Sequence, residues 1–430
     1  MTEQTVPYPP PPPGLERDLH RYIQHGVLSP HSTKVLLQQG FSWSMIAPFV
    51  NDVQWWELQR PALASAPTQP WRITSWGATL FLETQGIKIC VDPGPDMPDL
   101  RGSPDLIIVT HAHHDHTAKL GTLWAANPET PVMMSEGTYT LLSLRHQLDD
   151  ALYQCLRHST LKLKYSETRK ILGIQVTLFP AGHLLGAAMI ELEYGGDTML
   201  VTGDFAAHDV GGLAGAPWPQ KPYSLLLLGI TALNHQQLPT ADPKANRMPF
   251  LQEVDTLSRQ GKNRFLVNTQ AMSQAQELYV ALILAQQAGA FPDLSVCLAG
   301  FAKDISQLYH KALEKRHRAW YCVPLYLDID EVPKNAIVIT GSLGETGSGT
   351  EENPLVQSVT HNQQGWHIRN PSVYTHASWG ECAAWALGVP CYAVGIYGSF
   401  SLSLFTMVEN TGRRMWDLSR EDKVWEINSL

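Results

Sequence analysis

The chain has 430 residues, of which 44% are apolar and 17% charged, and its formal net charge is −9. A chain of this length and apolar content excludes a mainly disordered protein and has room for roughly two to three domains of about 150 residues. The acidic balance argues against a surface that is basic throughout, although a local basic groove remains compatible with it.

Six scattered cysteines without a CxxC pair predict reduced, mostly buried thiols. The N-terminus lacks a basic and apolar leader, and no apolar run reaches the ~18 residues of a membrane helix, so we expect a cytoplasmic protein without a membrane segment.

Residues 1–70 predict an N-terminal extension with a proline-rich tail. Pro9–Pro13 is a run of prolines that favours an extended polyproline II conformation. Such a tail serves either as a mobile spacer or as a docking peptide, so a protein partner could bind through this extension. Residues 61–70 are typical of a linker.

From residue 72 onward, short apolar and β-branched runs bounded by Gly and Pro predict strands, several of them buried on both faces. The runs are 78–83, 87–92, 105–110, 174–179, 188–194, 198–203 and 224–229. Residues 235–368 instead alternate strands with helices predicted over 273–287 and 304–318, which favours a small α/β domain. Ser273 and Gln276 have the spacing of a capping box at the first of these helices.

The strongest chemical signal is the histidine cluster Thr110-His-Ala-His-His-Asp-His116, which directly follows a buried strand. His111 and His113 are two residues apart, so both face the same way in extended backbone. Asp115 and His116 turn toward a second point nearby. Imidazoles and carboxylates are the ligands that zinc prefers, so this spacing predicts two neighbouring metal sites.

Three further residues follow strands in the same way. His183 lies in the loop Ala-Gly-His-Leu-Leu-Gly, and Asp204 lies in Thr-Gly-Asp-Phe, where its carboxylate could bridge two ions. Asp92 ends another strand and could hold the ligand imidazoles by hydrogen bonds. The predicted metal set is therefore His111, His113, Asp115, His116, His183 and Asp204.

This order of motifs resembles the metallo-β-lactamase superfamily, and the forms Ala-Gly-His-Leu-Leu-Gly and Thr-Gly-Asp-Phe resemble its β-CASP branch of nucleases. The resemblance implies an α/β fold, an αββα sandwich with an inserted α/β cap. It places the first part of the sandwich at 71–234, the cap at 235–368 and the C-terminal part of the sandwich at 369–430. It also implies a zinc-dependent hydrolase that acts on RNA or DNA, with manganese as an alternative metal.

The chain departs from the branch at two positions. The acid of a later branch motif falls on Gly229, and the last branch histidine falls on Gly395. His376 matches the branch histidine that contacts the scissile phosphate or protonates the leaving oxygen. Together with Asp92 and Asp115 it makes up the set of predicted catalytic residues. With one ligand missing, we expect one tight zinc ion and a second, weaker one. His208 and His235 are candidate replacements.

Two other functions remain open from the sequence. The protein could be a metallo-hydrolase of an ester, a thioester or a small phosphodiester, which the acidic net charge and the two missing residues favour. It could also be a non-catalytic subunit that binds metal. Two basic segments could meet phosphates or be ordinary solvated surface. They are 157–170, with Arg157, Lys162, Lys164, Arg169 and Lys170, and 303–318, with Lys303, Lys311, Lys315, Arg316 and Arg318.

Overall fold

A computed structural model describes most of the chain beyond residue 66. The described residues are 23–24, 27–28, 67–99, 103–144, 150–219, 221–231, 247–313, 332–342, 366–371, 373, 375–398, 414–418 and 425–427. The proline run, His235, Cys322 and three residues of the second basic segment, Lys315, Arg316 and Arg318, lie outside them. The other five cysteines are buried free thiols, as predicted.

All seven predicted apolar runs are strands, with ends that differ from the prediction by at most two residues. The strands in chain order are β1 (Ile23–Gln24), β2 (Val27–Leu28), β3 (Trp71–Trp76), β4 (Thr79–Thr84), β5 (Ile87–Val91), β6 (Leu106–Val109), β7 (Val132–Ser135), β8 (Thr160–Leu163), β9 (Thr168–Ile171), β10 (Ile174–Pro180), β11 (Ala188–Tyr194), β12 (Asp197–Val201), β13 (Tyr223–Ile230), β14 (Arg264–Gln270), β15 (Ser295–Leu298), β16 (Ala336–Ser342), β17 (His367–Arg369), β18 (Cys391–Gly398), β19 (Arg414–Asp417) and β20 (Trp425–Ile427).

The described helices are short, and none is long and apolar enough to span a bilayer. They are α1 (His114–Thr117), α2 (Leu120–Ala126), α3 (Glu136–Ser143), α4 (Asp150–His158), α5 (Met248–Arg259), α6 (Gln274–Gln287), α7 (Gly300–Ala312) and α8 (Trp379–Gly388). The predicted capping box is present at Ser273 with Gln276, and a second capping box lies at Ser378 with Glu381. The predicted start of α7 at 304 is wrong, because the buried face of the helix already includes Ala302 and begins one turn earlier.

Two sheets form a sandwich, each with seven described strands. Their orders are β20-β3-β4-β5-β6-β7-β8 and β19-β18-β13-β12-β11-β10-β9. Side chains that alternate along the strands bury their apolar members between the sheets, among them Ile73, Leu82, Val91, Val176 and Leu227. The opposite faces pack against helices, including α2 and α4 on the first sheet and α8 on the second. The predicted αββα sandwich is confirmed.

A third sheet lies in the chain between β13 and β18 and has the order β15-β16-β14-β17, with parallel strands throughout. Helices α6 and α7 pack against it, so this unit is the predicted α/β insertion. Strand β14 ends at Gln270, and the chain then turns at Ser273, which contacts the sandwich. The insertion therefore rests on the same edge of the sandwich at which β5, β6, β10 and β12 end.

Candidate metal centre

Three imidazoles meet at the ends of β6 and β10. His111 Nε2 lies 3.2 Å from His113 Nδ1, and His183 Nε2 lies 3.1 Å from the same nitrogen. All three residues are buried. Together with Asp204 they form a set whose ligand atoms lie within 4.8 Å of one another. The fold thus brings together four of the predicted ligands, which follow strands β6, β10 and β12.

Asp115, His116 and Asp204 form a second set with the same property. His116 Nε2 lies 3.4 Å from Asp204 Oδ2 and 3.7 Å from Asp115 Oδ2. Asp204 belongs to both sets, so its carboxylate stands where a bridging ligand is expected. The Asp115 side chain is 46% exposed, whereas the side chains of His116 and Asp204 are buried. This set is therefore accessible to solvent at Asp115.

Outer hydrogen bonds fix the direction of three of the rings. His183 Nδ1 donates to the carbonyl of Thr375 at 2.7 Å, and His116 Nδ1 donates to Asp92 Oδ2 at 2.8 Å. Thr110 donates its backbone N–H and its hydroxyl to Asp92, so that hydroxyl is left to accept from His111 Nδ1 at 2.9 Å. The Nε2 atoms of His111 and His183 then face the cluster with their lone pairs, and His116 Nε2 faces the Asp204 carboxylate. Asp92 therefore orients His116 directly and His111 through Thr110, and its carboxylate also lies within 4.8 Å of ligand atoms of these two histidines in a third candidate set.

The electrostatics of the buried cluster keep three rings neutral. Burial, followed by the neighbouring imidazoles, lowers the pKa of His111 and that of His183 well below the ordinary value. Burial also lowers the pKa of His113 to about 4. His116 differs: burial alone would lower its pKa, but Asp204, Asp115 and Asp92 raise it well above the usual range. Neutral imidazole is the form that binds a metal.

The donor set fits a metal ion. His116 Nε2 and Asp204 Oδ2 are buried cluster atoms without a hydrogen-bond partner among the described residues, and such atoms are costly unless something satisfies them. The nitrogen separations of 3.1 and 3.2 Å are close to the edge of about 3.3 Å that a tetrahedron with zinc–nitrogen distances of about 2.0–2.1 Å has. Three lone pairs held this close repel one another unless a cation lies between them.

The loop after β10 can approach its neighbours only because of two glycines. Gly182 and Gly186 have φ of +74° and +86°, and a Cβ on either would lie 2.4 Å or less from a neighbouring backbone atom. The hydroxyls of Ser135 and Thr138 donate to the carbonyl of Gly186 at 2.5 and 2.9 Å. These contacts set the path of the loop that carries His183.

The inserted domain holds the same loop from the other side. Ser273 Oγ donates to the His183 carbonyl at 2.7 Å, and the Leu185 N–H donates to the hydroxyl of Tyr309 at 2.9 Å. Ser273 and Tyr309 are buried. Ser273 has φ of +74°, an unfavourable conformation for a residue with a Cβ, and such strain persists where surrounding contacts fix it. A predicted ligand of the cluster is thus bonded directly to the insertion.

His376 lies beside the cluster. Its Nε2 is 3.2 Å from Asp204 Oδ2, and its ring centroid is 4.3 Å from that of His183. Its side chain is 21% exposed, more than that of His111, His113 or His183. The branch-motif acid expected to pair with His376 is replaced by Gly229 in this sequence, whereas the structure places the carboxylate of Asp204 next to His376.

Two positions require correction. A side chain at Gly395 would meet Leu227 and Leu418 at 2.8 Å, inside the core between the sheets, so this position does not stand at the metal cluster. His208 does not stand at the place of the missing ligand, and its Nδ1 lies 3.0 Å from the buried carboxylate of Glu381. His208 also belongs to none of the metal-ligating groups among the described residues.

Sequence reasoning missed several contributors. Thr231 donates its hydroxyl to Asp204 Oδ1, and Thr375 supplies the carbonyl that orients His183. Ser273 was predicted only as a helix cap, yet its hydroxyl contacts the His183 loop. Nothing in the local sequence marks these contacts, although Thr375 adjoins His376.

Comparison with known proteins agrees with this geometry. Residues 79–247 match the family described as the metallo-beta-lactamase superfamily. The chain is 28% identical over 262 residues to the transcription termination factor FttA of Methanothermobacter thermautotrophicus, covering 54% of this chain and 41% of that protein. It is 30% identical over 203 residues to cleavage and polyadenylation specificity factor subunit 3 of Dictyostelium discoideum, covering 44% and 25%. It is 28% identical over 238 residues to the endoribonuclease YSH1 of Yarrowia lipolytica, covering 52% and 26%.

A solved structure has a similar fold. The crystal structure of a protein of unknown function from Enterococcus faecalis V583 aligns with a TM-score of 0.53 at 11% identity, covering 84% of this chain and all of that one. The chain spans less than half the length of each of the three curated relatives named above. The resemblance to the metallo-β-lactamase superfamily and to its β-CASP branch is confirmed.

Proposed function

We propose that the protein is a metal-dependent phosphodiesterase that hydrolyses RNA or DNA. The observation that carries the proposal is the convergence of three neutral imidazoles and one carboxylate beneath the inserted domain. The names of the relatives support the substrate class, because they include an endoribonuclease and a cleavage and polyadenylation factor.

The six predicted ligands would hold the metal, with zinc as the first choice and manganese as the alternative. His111, His113, His183 and Asp204 would form the tighter set, and Asp115, His116 and Asp204 the weaker one. When bound, the metal supplies Lewis-acid activation of water and stabilises the charge that develops on the phosphoryl group.

The chain's own residues would orient the reactants. Asp92 and the Thr375 carbonyl keep His116 and His183 in one tautomer, so their Nε2 atoms face the cluster without rearrangement. His376 is partly exposed beside Asp204, where it can reach a phosphodiester and donate a proton to the leaving oxygen. Asp204 would keep the His376 ring turned toward the substrate.

The proposal extends to the domain organisation. Residues 71–234 and 369–430 would form the sandwich, residues 235–368 the cap, and residues 1–70 an extension available to a protein partner. Substrate would then lie between the sandwich and the cap, close to the loop that Ser273 and Tyr309 hold.

A second candidate function has one specific observation in its favour. A side chain at Gly229 would come within 2.5 Å of the Gly203 carbonyl, so the site has no room for the acid of the branch motif. A hydrolase with this altered site could act on an ester, a thioester or a small phosphodiester instead of a nucleic acid.

The test is an activity panel on the purified full chain. Labelled single-stranded and double-stranded RNA and DNA, together with a set of generic esters, are incubated with added zinc or manganese. We expect cleavage of nucleic acid that Asp204→Ala abolishes and that Asp293→Ala, which removes an exposed carboxylate from the turn before β15, leaves unchanged. Ester turnover without nucleic-acid cleavage would instead establish the second candidate. Cleavage that survives Asp204→Ala would show that it comes from another source.

A further inference from the structure

One edge of the sandwich is strongly basic. Strands β8 and β9 are the last strands of the two sheets at this edge and follow each other in the chain. Residues 157–175 contain five basic side chains and a single acid, Glu167, in a chain whose net charge is −9. Glu167 is already paired with Arg169 at 2.7 Å. We call Lys162, Lys164, Tyr165, Arg169 and Lys170 the basic edge.

The basic edge is exposed and carries apolar surface. Each of its five residues is exposed. Leu161, Tyr165 and Leu172 are 42%, 41% and 48% exposed, and they are three of the four large exposed hydrophobic residues in the described part of the chain. Positive charge beside an exposed aromatic ring is the combination by which proteins hold single-stranded nucleic acid, because the charges attract phosphates and the ring stacks on bases.

The basic edge is continuous with the metal centre. Tyr165 donates its hydroxyl to the carbonyl of Ala187 at 2.9 Å, in the loop that carries His183. The next residue, Ala188, donates its N–H to the carbonyl of Thr110, which adjoins His111. Two hydrogen bonds therefore connect the exposed ring through Ala187 and Ala188 to Thr110, the residue before His111.

A cation–π contact places Lys162 against the helix layer. The Lys162 ammonium lies 4.3 Å from the centre of the Tyr139 ring, on helix α3. Ser135 caps that helix and Thr138 lies in its first turn, and the hydroxyls of both donate to the carbonyl of Gly186. Lys162 is thereby fixed relative to the same loop.

We propose that the basic edge binds single-stranded RNA and guides its backbone toward the metal centre. The inference rests on the proposed function, and it adds a binding surface on the sandwich itself, outside the cluster and outside the cap. Single-stranded RNA is favoured over a duplex because a ring such as Tyr165 can stack only on unpaired, accessible bases.

The experiment uses the variant Lys164→Glu/Lys170→Glu and measures binding of a fluorescent 20-nucleotide RNA by anisotropy across a salt series. The matched control is Lys262→Glu/Lys334→Glu, which changes the net charge equally at exposed positions. Both control positions precede strands of the cap sheet, at the end opposite Ser273. Thermal unfolding midpoints show that all proteins are folded.

The test variant should bind RNA roughly 25-fold more weakly at 0.1 M salt, and its salt slope should fall by about 1.4, since each lost phosphate contact on a single strand accounts for about 0.7. Its KM for RNA should rise while its turnover of a small chromogenic phosphodiester stays at the wild-type rate. Tyr165→Phe should retain RNA binding and Tyr165→Ala should lose part of it.

Three results would overturn the proposal. Equal binding by the test variant and the wild type would show that the edge is not the RNA surface. Equal weakening in the control would show an effect of net charge alone. A wild-type protein that binds no RNA but hydrolyses the small phosphodiester would exclude the RNA surface and the nucleic-acid substrate together, while leaving the metal centre established.

Discussion

Gly186 offers a sharp test of how the His183 loop is built. Its φ is +86°, and an added Cβ would lie 2.1 Å from the Thr138 nitrogen and 2.4 Å from the Gly137 carbonyl carbon. These atoms are backbone, so they cannot rotate away. Gly186→Ala must therefore move the loop or the start of helix α3, three residues from a predicted metal ligand.

The magnitude separates into two contributions. A left-handed conformation costs a residue with a Cβ about 1–2 kcal/mol. Forced overlap in a packed site costs about 1–3 kcal/mol more. Gly261 is the matched control, because it has φ of +81° and nothing within 4 Å of its Cβ position. Gly261→Ala should show the first contribution alone, and Gly186→Ala should show both.

The assay is the midpoint of thermal unfolding together with metal content by mass spectrometry. At about 2–4 °C per kcal/mol for a domain of 150–250 residues, the additional overlap should place the midpoint of Gly186→Ala about 2–12 °C below that of Gly261→Ala. Metal content should fall only in Gly186→Ala, because only that change displaces the His183 loop. Equal midpoints and full metal content in both variants would refute this account of the loop.

Three further predictions concern the cluster and its contacts. His183→Ala should lose metal and lower the unfolding midpoint, since a ligand that binds only the folded state stabilises it, and unchanged metal content would contradict the assignment. His376→Gln should keep its metal but reduce kcat by about 10²–10⁴-fold, and full activity on the natural substrate would exclude a role in proton transfer. After exhaustive dialysis the wild type should retain one zinc ion per chain and take up a second on titration, because the second set has a single imidazole and the half-exposed Asp115, and two equally retained ions would refute the inequality.

The sequence predicted the cluster because its ligands are local signals at strand ends. His111, His113 and His116 share one motif, and His183 and Asp204 each follow an apolar strand whose end could be located. Parallel and antiparallel pairing then carries these ends to one edge of the sandwich. No more than strand detection and ligand chemistry was required.

The contacts that orient the ligands could not be predicted in this way. Thr375 lies 192 positions from His183 and Ser273 lies 90 positions away, so both reach the site only through the packing of separate units. A carbonyl oxygen is present on every residue and carries no sequence signal of its own. The hydroxyl of Ser273 had a local interpretation as a cap, and that interpretation was right for the helix but incomplete for the site.

The position of Gly395 shows that a motif match must be checked against the face of the strand on which the residue lies. Ala393 and Tyr397, which flank Gly395 on the same face of β18, belong to the core between the sheets. Tyr397 is opposite Gly229 in the register of β13 and β18, and its hydroxyl accepts the Gly203 N–H at 3.0 Å. A Cβ on Gly229 would lie 3.1 Å from that hydroxyl oxygen, so the phenol occupies space that a larger residue would need.

The absence of an acid at Gly229 is therefore part of a packing arrangement. Tyr397 and Gly229 fit together beside Gly203, immediately before the shared ligand Asp204. Restoring an acid at Gly229 would require Tyr397 to leave a fully buried position and the Gly203 carbonyl to move. An added side chain at Gly395 would meet Leu227 and Leu418, and one at Gly229 would meet Tyr397 and the Gly203 carbonyl, so a single substitution at either glycine cannot restore the branch residue without displacing buried neighbours.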